Sequence, residues 1–265
     1  MKLAAYVSGV GVLGPGLASW PEAQAVLSGQ RPYQPSATIL PTPTILAAAE
    51  RRRVGRVVKL ALAIALEATS QGGENPAELV SVFSSSGGDG QNCHELCQVL
   101  ASATREISPT RFANSVHNAA AGYWSIGTHS MAESNVLCAF DASFTAGLLE
   151  AFTQVAVDQV PVLLVAYDSE YPQPLHAKRP IPDAFGVALL LTPQRRATSL
   201  AKLEAALGGS SVERLAEPAL EELRRECPAA RSLPLLRLLA LQTAGTVILE
   251  YLDASSVLVQ VDPCV

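Results

Sequence analysis

Cys138-Ala139-Phe140-Asp141-Ala142-Ser143-Phe144-Thr145-Ala146-Gly147 joins an expected strand, residues 134–140, to a helical stretch, residues 144–157. A strand ends, small residues turn the chain, and a helix begins. An α/β fold presents a nucleophile at such a place, because a helix N-terminus stabilises a developing anion and lowers a thiol pKa. The residue read at this turn is Asp141. An aspartate there has two readings. It is an aspartyl nucleophile, or it caps the helix. Cys138 falls inside the expected strand and so reads as buried and inert.

Outward from the elbow, apolar strands alternate with helices. Strands are expected at 3–12, 79–84, 134–140, 161–167, 184–192 and 198–205, with a closing pair at 245–252 and 255–261 turned by Asp253–Ala254. Helices are expected at 21–28, 47–69, 91–103, 115–128, 144–157, 212–226 and 234–242. This alternation predicts an α/β fold with helices layered on a mixed, mostly parallel sheet and a C-terminal strand hairpin. No repeat or low-complexity linker divides the chain, so one domain over residues 1–265 is expected.

Of the 265 residues, 49% are apolar and 16% charged, enough for a large core and against disorder. A net charge of −5 gives no reason to bind nucleic acid or an anionic membrane. No apolar run is long enough to span a bilayer, and the N-terminal run is too short for a signal peptide, so a cytoplasmic location is expected. Five cysteines at irregular spacing do not suggest a disulfide framework.

Four further features carry candidate chemistry. Gly9-Val-Gly11-Val-Leu-Gly14 fits a dinucleotide turn, but no second strand ending in an acid follows. The alternative is a glycine turn that packs strand and loop tightly. Cys93, His94 and Cys97 lack the second ligand pair that metal sites prefer, so no metal and no cofactor is expected, and structural, buried or half-exposed cysteines are. His117, in an expected helix, is either a general base or a packed, hydrogen-bonded side chain. The run Ala119 to Gly122 has little side-chain bulk, so another helix or a second subunit approaches it closely. Arg51, Arg52, Arg53 and Arg56 with Lys59 make the densest basic cluster.

Together these segments resemble the β-ketoacyl synthase branch of the thiolase-like superfamily. The resemblance rests on Tyr6 to Gly16 with Trp20 and Leu27-Ser28-Gly29, on Val82 to Gly88, on Asn118, on Asn135 to Leu149, and on Arg179-Pro180 followed by Asp183 to Leu191. It covers residues 3–192 and weakens afterwards. The segments Ala49 to Arg53, His117 to Gly122 and Ala146 to Ala151 are similar to a short, stand-alone group of ketoacyl synthase-like N-terminal proteins. That group is associated with aryl polyene and type II polyketide pathways. The resemblance implies a single thiolase-like half.

A condensing synthase has a cysteine at the elbow, where the resemblance places Asp141, and two histidines from a second half. No histidine follows residue 176 here. The resemblance therefore implies a non-condensing accessory subunit in fatty acid or polyketide assembly. Such a subunit pairs with a true synthase or with itself, as a homo- or heterodimer, and binds an acyl chain or acyl carrier protein. Asn118, Phe140, Asp141 and Phe144 are the acyl- or partner-binding candidates, and Arg51, Arg52, Arg53 and Arg56 the carrier-binding ones. Two other readings stay open: an enzyme with altered acyl-thioester chemistry using Asp141 and His117, and a nucleotide-dependent oxidoreductase.

Overall fold

The computed structural model describes residues 3–209, 212–252 and 255–264. In chain order the elements are β1 (Leu3–Leu13), α1 (Trp20–Leu27), α2 (Ala48–Arg51), α3 (Arg56–Gly72), β2 (Val80–Ser84), α4 (Gly90–Ala101), α5 (Pro109–Ala113), α6 (Ala119–Thr128), β3 (Ser134–Leu137), α7 (Ser143–Asp158), β4 (Val162–Asp168), β5 (Phe185–Thr192), β6 (Ala201–Leu207), α8 (Pro218–Glu226), α9 (Leu233–Leu241), β7 (Gly245–Glu250) and β8 (Ser256–Pro263). The strands form one sheet in the order β3-β2-β4-β5-β1-β6-β8-β7.

The expected mixed α/β sheet is present, but its pairing leans the other way from the mostly parallel sheet expected. Only β2 pairs in parallel, with β3 and β4. The pairs β4–β5, β5–β1, β1–β6, β6–β8 and β8–β7 are antiparallel. Parallel neighbours need a crossover element such as a helix. Helices α4 to α6 and α7 supply it around β2, β3 and β4. The proline-rich segment between β4 and β5 holds only a short 3-10 helix, Leu175–Ala177, and the chain simply returns. The tip of the closing hairpin, Asp253–Ala254, lies outside the described residues.

Helix α3 covers one face of β1, β5 and β4, and α7 covers the other. Strands β4 and β5 are buried along their whole length, which explains their unbroken apolar sequence. The α3 contact is close enough to touch backbone. A Cβ on Gly9 would stand 2.0 Å from the Ala68 carbonyl oxygen, and one on Gly11 2.0 Å from that of Ile64. These glycines lie within β1 and not in a turn. They serve helix-on-strand packing, not a pyrophosphate.

The same region shows where an anion would have to sit. Strand β6 pairs with β1 only as far as Val7, leaving the next N–H groups on that edge open. Helix α3 fills them: Gln71 Oε1 accepts from Val10 N–H at 3.3 Å and Glu67 Oε2 from Val12 N–H at 2.9 Å. Glu67 Oε1 also accepts from Trp20 N–H at 2.6 Å, at the first turn of α1. A protein carboxylate thus occupies the place the dinucleotide reading reserved for phosphate. Burial raises the Glu67 pKa, and the two backbone donors oppose that rise.

Two expected helices are broken. The stretch 47–69 divides into α2 and α3, because Gly55 is extended and a Cβ there would meet Asp89 Oδ2 at 2.5 Å. The stretch 115–128 is helical only from Ala119. Ser115 to Asn118 form the link from α5, so His117 is not on a helix.

A strand-to-helix elbow as candidate functional site

Beyond the carboxyl ends of β2, β3 and β4 lie three segments: the Ser85–Gly88 loop, the β3–α7 elbow and the loop after β4. Crevices of this kind, outside the strand ends, are where open α/β sheets bind ligands. Strand β3 stops at Leu137, earlier than expected, and a 3-10 turn, Phe140–Ala142, leads into α7. Gly147 lets α7 settle on β2, since a Cβ there would lie 2.8 Å from Ser84 Oγ.

The strained residue is Phe140, with φ of 52°. A non-glycine residue held in the left-handed region between strand and helix marks the apex of an elbow. The apex lies one residue before Asp141, the residue expected there from the sequence. Phe140 is 64% exposed, and the Arg179 guanidinium lies 4.0 Å from its ring centroid, a cation–π contact.

Asp141 neither caps α7 nor stands free. Its Oδ1 accepts from Arg179 Nη2 at 2.5 Å and its Oδ2 from Arg231 Nη2 at 3.1 Å. The helix start is organised instead by Ser143, whose Oγ accepts from Ala139 N–H and donates to the Phe140 carbonyl. The ion pairs continue outward: Arg231 also binds Glu250, and Arg224 spans Glu250 and Glu221. The Arg224 guanidinium holds the Glu221 carboxyl down to about 2. Beside the elbow opens a cavity of about 690 Å³, lined by Phe140, Asp141, Arg231, Ile248 and Glu250 among others.

Beneath this network, Asp168 ends β4 and is fully buried. Its Oδ1 accepts from Ser86 N–H at 2.8 Å and Ser86 Oγ at 2.6 Å, and its Oδ2 from Ala229 N–H at 2.9 Å. Burial pushes its pKa up to about 6, while the Ser86 and Ala229 donors and the Arg179 charge hold it back. Ala229 opens the 3-10 turn Ala229–Ser232 that carries Arg231. One carboxylate therefore ties the Ser85–Gly88 loop to the turn that reaches Asp141.

The other candidates fall into place around this loop. His117 Nε2 lies 3.2 Å from the Ser85 carbonyl oxygen. That oxygen only accepts, so Nε2 carries the proton in this contact. Cys138 is exposed, not buried: it lies past the strand end and donates Sγ–H to the Ser86 carbonyl at 3.4 Å. Phe144 is 1% exposed and belongs to the core under α7. Asn118 is exposed and lines a mainly apolar hollow with Val116, Gly122 and Ile126.

The basic cluster is less free than its sequence suggests. Arg53 pairs with Glu50, and Arg56 with Glu170 and Asp183. Arg51, Arg52 and Lys59 have no acidic partner among the described residues. Cys93 and Cys97 are both exposed on α4, where buried or half-exposed side chains are expected, and no group of three metal-binding side chains occurs among the described residues. No described helix is long and apolar enough to cross a membrane.

The model of the β-ketoacyl synthase N-terminal domain matches residues 19–244, most of the chain. The chain belongs to the β-ketoacyl synthase family. No curated protein matches it. Among solved structures, this synthase-family chain is similar to one from a ketosynthase, ApeO, in complex with its chain length factor, ApeC, of Xenorhabdus doucetiae. The identity is 26%, the TM-score 0.74, and the match covers 97% of this chain and 99% of that one. The ishigamide ketosynthase/chain length factor matches at 14% identity and TM-score 0.71, over 99% of this chain and 100% of that one. A type II polyketide complex of acyl carrier protein with its hexaketide-bound ketosynthase, AntDE:AntF, matches at 10% identity and TM-score 0.75, over 100% of both chains. These last two share the fold. The thiolase-like half expected from the sequence is thereby established.

Proposed function

We propose that this chain is a non-condensing ketoacyl synthase-like subunit of a polyketide or aryl polyene assembly system. It pairs with a condensing synthase and serves acyl chains borne by an acyl carrier protein. The observation that carries this reading is the elbow: its apex is Phe140, and the neighbouring Asp141 has both oxygens held by guanidinium groups. Neither residue supplies an acyl-accepting thiol. A carboxylate with both oxygens engaged by arginines is a poor nucleophile. Two solved structures of a ketosynthase with a chain length factor, and one of an acyl carrier protein with its ketosynthase, support the partner assignment.

The pairing surface we assign lies on the outer side of α6 and along β3. Strand β3 is the sheet edge, and an open edge is a template for another chain. Gly122 has nothing within 4 Å of its Cβ position, so α6 accepts a close neighbour. Val116, Ile126 and Met131 are exposed beside it, at 52%, 53% and 97%. Water-facing apolar side chains gathered beside an open edge favour burial in a partner.

Co-expression with candidate synthases and carrier proteins tests the reading. A stable complex with a condensing synthase is expected, with condensation lost when the partner's own elbow cysteine is replaced. Failure to co-purify with any synthase, together with no carrier-protein binding at high micromolar concentration, overturns it. The altered-enzyme reading predicts turnover of acyl- or malonyl-carrier substrates that Asp141→Ala abolishes.

A further inference from the structure

We infer that Arg179 and Arg231 form a carboxylate-binding site whose resident ligand is the side chain of Asp141. The elbow is thus closed to free or acyl-borne carboxylates by an internal one. The inference goes beyond the partner assignment and does not depend on it.

The geometry is that of a receptor for one carboxylate. Two guanidinium groups from distant parts of the chain reach opposite oxygens, at 2.5 and 3.1 Å. Both arginine side chains are only 17% exposed, while that of Asp141 is 36% exposed. Charge-assisted pairs of this kind are short and strong, and stronger away from water.

The two guanidinium groups differ in what else they meet. Arg231 has a second acidic neighbour in Glu250, and Arg179 lies within electrostatic reach of buried Asp168. Among the described residues, the Arg179 side chain has no other carboxylate in direct contact and lies over the Phe140 ring. Removing the Asp141 carboxylate leaves two largely buried guanidinium groups facing a gap of one carboxylate. That gap opens on the cavity lined by Phe140, Ala142 and Ile248, so a ligand has a way in. The natural ligand class is therefore a small carboxylate or an acyl group ending in one. Asp141 excludes it in competition, as an autoinhibitory contact would.

The test is replacement of the internal ligand by an external one. Asp141→Ala is titrated with sodium acetate and sodium malonate, against sodium chloride at matched ionic strength. Binding is read by calorimetry and as a saturable rise in melting temperature. The variant is expected to bind acetate at least tenfold more tightly than the wild-type protein does. Adding Arg179→Gln should cost that gain at least tenfold. Asp141→Asn, which keeps the gap filled, should gain nothing. If Asp141→Ala does not fold in chloride, its refolding yield is measured with and without acetate, and a carboxylate-specific rise is the expected result. Equal affinity in the wild type and Asp141→Ala, retention after Arg179→Gln, or refolding indifferent to acetate each overturns the inference.

Discussion

The Ala229 N–H donates to Asp168 Oδ2 at 2.9 Å, joining residues 61 apart in sequence at the floor of the elbow. The acceptor is fully buried, and burial raises its pKa from 3.8 to about 6. A carboxyl whose folded pKa lies above its unfolded value binds its proton more tightly in the folded protein. Its contribution to stability is full below pH 4 and is lost as pH rises through about 6. A rise from 3.8 to about 6 is worth about 3 kcal/mol. Asp168→Asn removes the titration. The wild-type protein should therefore lose stability relative to Asp168→Asn between pH 4 and pH 7, and the difference should level off at either end. Paired thermal melts across that range check this. Parallel curves for the two proteins would refute the assignment.

Phe140 sets a second test, because its backbone and its side chain pull in opposite directions. The left-handed backbone costs a non-glycine residue about 1 kcal/mol. The contact with Arg179 returns about 0.5–1 kcal/mol at an exposed site. Phe140→Ala keeps the strain and loses the contact. Phe140→Gly loses both. The glycine variant should be more stable than the alanine variant by about 1 kcal/mol, the reverse of their usual order within a helix. Urea unfolding of the two variants measures the gap.

Gly11 lies under Ile64 with no room for a methyl group. The obstructing atom is a backbone carbonyl of α3, and neither helix nor central strand can yield without moving the sheet. Gly11→Ala should cost at least about 3 kcal/mol, at the upper end of overpacking effects. Gly29→Ala is the comparison, because a Cβ there meets nothing within 4 Å. Gly29 has a φ of 79°, so its alanine variant carries backbone strain without a clash. A lower urea midpoint for Gly11→Ala than for Gly29→Ala is expected.

The elbow was legible as a place and illegible in register. Val136-Leu137, the small residues after them and a helical run announce strand, turn and helix. Nothing in a phenylalanine announces a left-handed backbone, so the apex was assigned to the more turn-like Asp141. Premature termination of β3 then exposed Cys138, which the longer strand would have buried. Antiparallel pairing of β5 was hidden because a doubly buried strand reads the same in either orientation. Arg179 was visible as a motif but not as a partner of Asp141. Arg231 lay where the family resemblance had faded, 90 residues from the carboxylate it binds. Pairings of that span are set by tertiary structure, and one sequence carries no local trace of them. Asp168 shared this fate: its sequence neighbours are ordinary, and its role appears only when two loops and a 3-10 turn converge on it.

The basic cluster yields the last prediction, because the fold sorts its members. Arg56 is committed to Glu170 and Asp183, and Asp183 in turn accepts from Thr38 N–H at 2.6 Å. Arg53 is matched by Glu50. Under the proposed function, Arg51 and Arg52, at the end of α2, are the arginines left to meet an acidic carrier surface. Rim charges of this type act on association rate and on its salt dependence. Reversing both, Arg51→Glu with Arg52→Glu, should weaken carrier-protein binding about tenfold at low salt, each charge contributing on the order of 0.5–1 kcal/mol. The loss should shrink as ionic strength rises, since exposed charges are screened. Arg56→Ala should leave carrier binding within about twofold and cost only about 1 kcal/mol of stability, because its ion pairs are half exposed. Surface plasmon resonance across a salt series separates these outcomes. Carrier binding that responds to Arg56→Ala but not to the double reversal would place the docking site elsewhere.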